Sequence, residues 1–170
     1  MKKSELRQLI QNSILEVTIK DLRGEAPDFL NVRNNSKQLE AEYLGIEDDI
    51  VNFRVKSQYT DEYYYQQVKL LDLKKLIKKY KDKYKPRQIV NSAIKGNILI
   101  HCDDPSWKYW GFQYKATDGG YALEREVRPA HIRNPHKKGS LCKHLDIVLV
   151  VLPFYGSDIT GELKKNGYFS

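Results

Sequence analysis

The sequence predicts an α+β fold: a small antiparallel sheet of about three strands, with an N-terminal helix before it and a helical half after it. Three observations carry this. Apolar and polar residues alternate over 49–57 and 62–70, the period of half-buried strands. Apolar residues recur at helical spacing near the N-terminus and again after Cys142. Both cysteines and all four histidines fall between His101 and His144, so that half has its own chemistry. With 170 residues the chain can bury a core without disulfides to replace it. The expected organisation is residues 1–37 as helix and loop, 38–100 as strands plus a basic helix, and 101–170 as the Cys/His segment with C-terminal helices, all in one compact unit.

The elements follow in order. Ser4 can cap a first helix carrying Leu6, Leu9, Ile10, Ile14 and Val17 on one face, with Gly24 to end it. Pro27 and Asn34-Asn35-Ser36 mark residues 25–37 as a loop. In the first clear strand Val51, Phe53 and Val55 oppose Asn52, Arg54 and Lys56. In the next, Tyr64, Val68 and Leu70 oppose Tyr63, Tyr65 and Gln67, which leaves Tyr63 and Tyr65 free for a partner. Residues 58–61 are short enough for a hairpin, and 38–44 supply a third strand. A lysine-rich helix over 72–84 is anchored by Leu73, Leu76, Ile77 and Tyr80. Pro86 opens another helix, which Gly96 stops. Residues 97–101 read as a short buried strand. Asp104 and Pro105 read as the cap and first residue of an aromatic helix through Tyr114, with Trp107, Trp110 and Tyr114 turned to the core. Residues 117–140, with two adjacent glycines and two prolines, form a long irregular crossing. Leu141, Leu145, Val148, Leu149 and Leu152 then mark an apolar helix.

The net charge of +7 is concentrated. Residues 74–87 hold eight Lys/Arg against one Asp, leaving 21 basic and 21 acidic residues elsewhere. Lys74, Lys75, Lys78, Lys79, Lys81, Lys83, Lys85 and Arg87 can line a helix and its tail, a pattern suited to phosphates and to salt-sensitive DNA binding, or else to an acidic protein. Tyr80 and Tyr84, four residues apart, share a face.

His101-Cys102-Asp103-Asp104-Pro105 and Cys142-Lys143-His144-Leu145 can converge on one tetrahedral ion, and zinc accepts thiolate, imidazole and carboxylate together. Cys102, Cys142 and His144 are the candidate ligands, with Asp104 or alternatively His101 as the fourth. His131 and His136 read as surface residues. A Cys102–Cys142 disulfide finds no support, because no signal peptide leads to an oxidising compartment.

The pattern resembles a SWIM-type zinc finger, in which Cys-x-Cys is followed by a variable spacer and a Cys-x-His that opens an apolar helix. Cys102, Cys142 and His144 match that pattern; Asp104 stands where the second cysteine would be. The longer string is similar to a SWIM-like variety encoded by tailed bacteriophages. It comprises Cys102, Asp104-Pro105-Ser106-Trp107, Tyr109-Trp110, Arg133-Asn134-Pro135, Gly139 and Cys142-Lys143-His144-Leu145. This resemblance implies a structural zinc ion and a phage virion or assembly component that contacts other virion or phage proteins, or DNA through the basic helix. The setting implied is the virion or host cytoplasm. The oligomeric state stays open.

The alternative is a nucleic-acid-binding accessory protein acting in the infected cell. A third reading, a metal-dependent nuclease, would draw on Asp103, Asp104, Glu124 and Glu126. The expected protein is not an enzyme, because the chain has neither a phosphate-cradling glycine loop nor a serine in a nucleophile elbow. The longest apolar run, residues 145–155, is interrupted by Asp146 and Pro153 and is too short for a bilayer, so no membrane association is expected.

Overall fold

The computed structural model describes residues 17–25 and 29–170. Most of the expected N-terminal helix, including its Ser4 cap, and the Pro27 turn lie outside them. At the described end of that stretch Val17 is not helical. Its carbonyl accepts from the Ile98 amide at 2.9 Å, and Thr18 bridges Asn97, so the chain here runs along a sheet edge. Asp21–Glu25 is a π-helical turn, fastened by Thr18, whose amide and hydroxyl each donate to Asp21 Oδ2 at 2.8 Å.

Four strands form one antiparallel sheet in sequence order: β1 (Ala41–Glu47), β2 (Ile50–Lys56), β3 (Tyr63–Leu70) and β4 (Ile98–Cys102). The expected third strand is present, shifted to Ala41–Glu47, and the buried strand after Gly96 joins the same sheet, making four rather than about three. Among the described residues seven α-helices surround it: α1 (Val32–Ser36), α2 (Leu73–Tyr80), α3 (Pro86–Lys95), α4 (Pro105–Tyr109), α5 (Phe112–Asp118), α6 (Lys143–Val151) and α7 (Gly156–Lys165). The 25–37 loop thus contains a short helix, and the lysine helix stops at Tyr80. The aromatic helix is broken in two at Gly111, where φ is +74°, a conformation that costs glycine little and L-residues more.

Strand alternation decides what covers the sheet. Val51, Phe53, Val55, Val68, Leu70, Ile98, Ile100 and Cys102 face the core, where α6 supplies Leu145, Val148 and Leu149 and packs across β1, β3 and β4. The opposite face carries Asn52, Arg54, Tyr63, Tyr65, Gln67, Lys69 and His101, and Tyr63 and Tyr65 are exposed as the alternation predicts. A register shift between Tyr43 and Gly45 bends β1. There the Glu162 carboxylate of α7 takes bonds from the Tyr43 hydroxyl at 2.7 Å and the Ile46 amide at 3.1 Å, tying the last helix to the edge strand.

One buried carboxylate joins distant parts of the chain. Asp146 on α6 accepts from Ser36 Oγ at 2.5 Å and from Arg23 Nε at 2.9 Å. A carboxylate this deep is tolerable only when its oxygens are paired. Among the described residues, no helix is long and apolar enough to cross a membrane. Replacing Asp146 with Ala should lower unfolding stability by about 2 kcal/mol, the worth of a charge-assisted bond, and Asp146→Asn by less; urea denaturation checks both.

Candidate metal centre

β4 ends at Cys102, which strand alternation turns into the core. Across the sheet its register partner is Gln66, so a buried amide faces a buried thiol. Asp104 then caps α4: Oδ1 accepts from the Ser106 amide at 3.1 Å and Oδ2 from the Ser106 hydroxyl at 2.5 Å, with Pro105 in the first turn. At the far end of the crossing Cys142 is the N-cap of α6, and its Sγ accepts from the Leu145 amide at 3.5 Å. His144 follows two residues on, within the first turn. The motif spacing therefore works through helix capping, which places a thiol and an imidazole at the mouth of one helix opposite the end of a strand.

The result is one buried cluster. Cys102, Cys142 and His144 are each 2% exposed, and one ligand atom from each lies within 4.8 Å of the other two. Around a tetrahedral zinc, sulfur and nitrogen ligands stand roughly 3.5–3.8 Å apart. A modest inward movement of side chains would therefore complete the grip, and this Cys2His group can hold a metal ion such as zinc.

The electrostatics of the cluster are compatible with a metal ion. Burial opposes a thiolate at Cys102, but the Cys142 thiol, His144, the Asp104 amide at 3.4 Å and Gln66 Nε2 at 3.6 Å outweigh it and bring its pKa down to about 6. Burial likewise opposes a charged His144 ring, yet Asp104 and the Cys102 thiolate hold its pKa up to about 9. Burial and the neighbouring Cys102 thiolate push the Cys142 thiol well up. A cation entering the cluster would replace the protons of Cys142 and His144, as metal binding to thiols and imidazoles requires.

Asp104 is not within that group of ligand atoms. Its Oδ2 lies 2.7 Å from His144 Nδ1, a close ion pair, although neither ring nitrogen completes a well-aimed hydrogen bond. Burial opposes its ionisation, but His144 and the two Ser106 donors keep the carboxyl below its usual range. A carboxylate behind a ligating imidazole orients the ring and raises its basicity. His101 is turned away by the same strand alternation that buries Cys102. It lies on the opposite face with Nε2 3.4 Å from Glu124 Oε2, so the structure does not bring the alternative fourth ligand to the cluster.

Of the acidic candidates, Asp103, Asp104 and Glu124 line one pocket with His101, but among the described residues they form no metal-holding group. Asp103 accepts from the Tyr65 amide at 2.7 Å, and Glu126 is held by Arg128 Nε and Nη2 at 2.9 Å each. Trp107 is fully buried in the core, Tyr114 and Trp110 are half-buried, and His131 and His136 are exposed. Both cysteines are free thiols.

All eight basic residues of the lysine run are exposed. Lys74 pairs with Asp48, Lys75 lies 3.4 Å from Asp72, Lys81 donates to the Ser170 carbonyl at 3.1 Å, and Arg87 donates to the Ser157 hydroxyl. Lys79 stands over the Tyr80 ring, while Lys78 and Lys83 show no side-chain partner among the described residues. Tyr80 and Tyr84 meet edge to face, 5.6 Å between centroids. Sequence reasoning missed Gln66; its signal was a polar residue in phase with Tyr64, Val68 and Leu70.

Converting Asp104 to Asn should weaken zinc affinity about 10- to 100-fold while leaving one ion per chain, the usual effect of losing a supporting carboxylate; competition against a chromophoric chelator measures it. No family model matches the chain, and neither a curated protein nor a solved structure matches it. Of the expected pattern, the structure shows the buried Cys102, Cys142 and His144 cluster, which could hold a metal ion.

Proposed function

We propose that the chain is a non-enzymatic binding protein in which Cys102, Cys142 and His144 hold a structural zinc ion, with the exposed lysine run as a face for DNA or an acidic protein. The observation that carries this reading is the convergence of three buried ligand atoms from a strand end and a helix start. Such a clip closes the crossing between β4 and α6. A catalytic zinc needs an open coordination position and a nearby base. Here the three ligands are sealed from solvent, and the carboxylate next to them already serves His144 and Ser106. Three protein ligands leave one tetrahedral position, which Asp104 would reach only by leaving His144 Nδ1.

Other residues of the phage-type string have identifiable structural work, which favours the SWIM-like reading. Asn134 Nδ2 donates to the carbonyls of Trp110 at 3.1 Å and Lys138 at 2.9 Å, and its Oδ1 accepts from the Lys138 amide. Gly139 has φ +74°, and a Cβ there would lie 2.7 Å from Phe29 Cβ. On this reading the protein is a phage virion or assembly component. Recovery from disrupted, purified virions supports that role, whereas detection only in the infected-cell lysate supports the accessory-protein alternative.

Purified protein should contain about one zinc per chain by elemental analysis; a metal-free protein at neutral pH would sink the assignment. Opening a clip around roughly 40 residues should cost about 4 kcal/mol, a fall in Tm of about 10 °C on chelation. DNA affinity should fall steeply with salt, and a Lys78→Gln/Lys79→Gln/Lys83→Gln variant should flatten that dependence by up to about 3 in log–log slope. Binding that ignores salt would favour a protein partner.

A further inference from the structure

The crossing between α5 and α6 carries a second concentration of positive charge. From Arg125 to Lys143 there are six Lys/Arg against one Asp/Glu, with His131 and His136 among them. The one acid, Glu126, is already bound by Arg128. The rest of the chain, outside this stretch and the lysine run, holds 15 Lys/Arg and 20 Asp/Glu.

This crossing is a built surface. Asn134 pins its turn to Trp110 and Lys138, and Lys115 Nζ donates to the Gly139 carbonyl at 2.5 Å. Three of its cations rest on aromatic rings: Arg133 at 3.2 Å from the Tyr109 centroid, Lys137 at 5.0 Å from Tyr114, and Lys143 at 5.0 Å from Tyr59. Cation–π contact orders long side chains in advance, and a stacked guanidinium still presents N–H donors. Beside them two apolar side chains stand in solvent, Ile132 at 95% and Val127 at 71% exposure. An isoleucine between a histidine and an arginine on a basic turn has the chemistry of a groove-entering wedge, where an apolar side chain parts a base step while its neighbours hold phosphates. Two exposed apolar residues are too few to anchor a lipid surface by themselves.

We propose that this crossing is a nucleic-acid site distinct from the lysine run. Its turn enters a duplex groove with Ile132 as the wedge, and Arg133, Lys137 and Lys138 contact the backbone. The two surfaces lie at opposite ends of β3: Lys143 reaches Gln58 beyond its Tyr63 end, and α2 starts after Leu70. Because the metal cluster joins Cys102 to Cys142, it closes the base of this loop, so zinc holds the surface in shape.

The inference rests on the reading of the chain as a nucleic-acid-contacting protein, and the experiment separates the two. The zinc-loaded full chain is titrated against a fluorescent 20-base-pair duplex at several salt concentrations, with circular dichroism on each variant. Arg133→Gln/Lys137→Gln/Lys138→Gln should lower the salt slope by up to about 3. Ile132→Ser should weaken binding about tenfold with the slope unchanged. Chelation should remove the contribution of the crossing and leave that of the lysine run. If both crossing variants bind like wild type while the Lys78/Lys79/Lys83 variant does not, the crossing site is overturned and the broader reading stands. If wild type does not bind the duplex, the crossing site and the DNA reading of the lysine run both fail, and the acidic-protein reading remains. If Ile132→Ser instead abolishes binding to phosphatidylserine vesicles and leaves the duplex unaffected, the surface reads lipid and the proposal falls.

Discussion

Two thiols and an imidazole excluded from water are the constraint on which this half of the molecule depends. Each would be costly to bury alone, because a charged form loses its hydration and a neutral form leaves its polar atoms unmatched. Placed together, each answers another: the Asp104 carboxylate supports the ring, the ring faces the Cys102 thiolate, and amides from Gln66, Asp104 and Leu145 point at the two sulfurs. Amide donors around thiolate sulfur spread its charge without taking the lone pairs a metal would use. The same arrangement sets local geometry. Cys102 ends a strand, Asp104 starts one helix and Cys142 starts another, so the chemistry coincides with three element boundaries.

Much of this was legible because the signals were local. Alternation in β2 and β3, the Pro86 start and Gly96 stop of α3, and the Cys142 opening of α6 depend on residues within a few positions of each other. The convergence of Cys102 with Cys142 was legible from motif spacing. The features that escaped were set by distant contacts. Val17 fits the apolar spacing of a helix but is drawn out along β4, since an edge strand offers its backbone partners. The break at Gly111 lies inside an aromatic run whose composition suits a continuous helix. Asp104 was legible as a participant, but whether its oxygens meet a metal or His144 depends on which way the imidazole faces, which spacing does not encode. His101 was the opposite case: the period of β4 already put it on the face away from Cys102.

Charge arithmetic misled in a specific manner. Removing the lysine run leaves equal numbers of acids and bases, which looks like a neutral body. That balance is an average over a basic crossing and an acidic remainder, and only the fold shows that three cations of the crossing rest on Tyr109, Tyr114 and Tyr59.

The placement of α2 and the α5–α6 crossing at opposite ends of one strand has a mechanical consequence. β3 is eight residues long, a rigid spacer of about 26 Å. On the proposed reading, a polyanion long enough to reach both ends would be held bivalently: once one end is seated, the other would meet its phosphates at an effective concentration set by a stiff sheet instead of by diffusion. Avidity of that kind makes release depend on both ends letting go together. Loss of the metal clip would then relax one end alone and turn a bridging grip into a single, fast-exchanging contact.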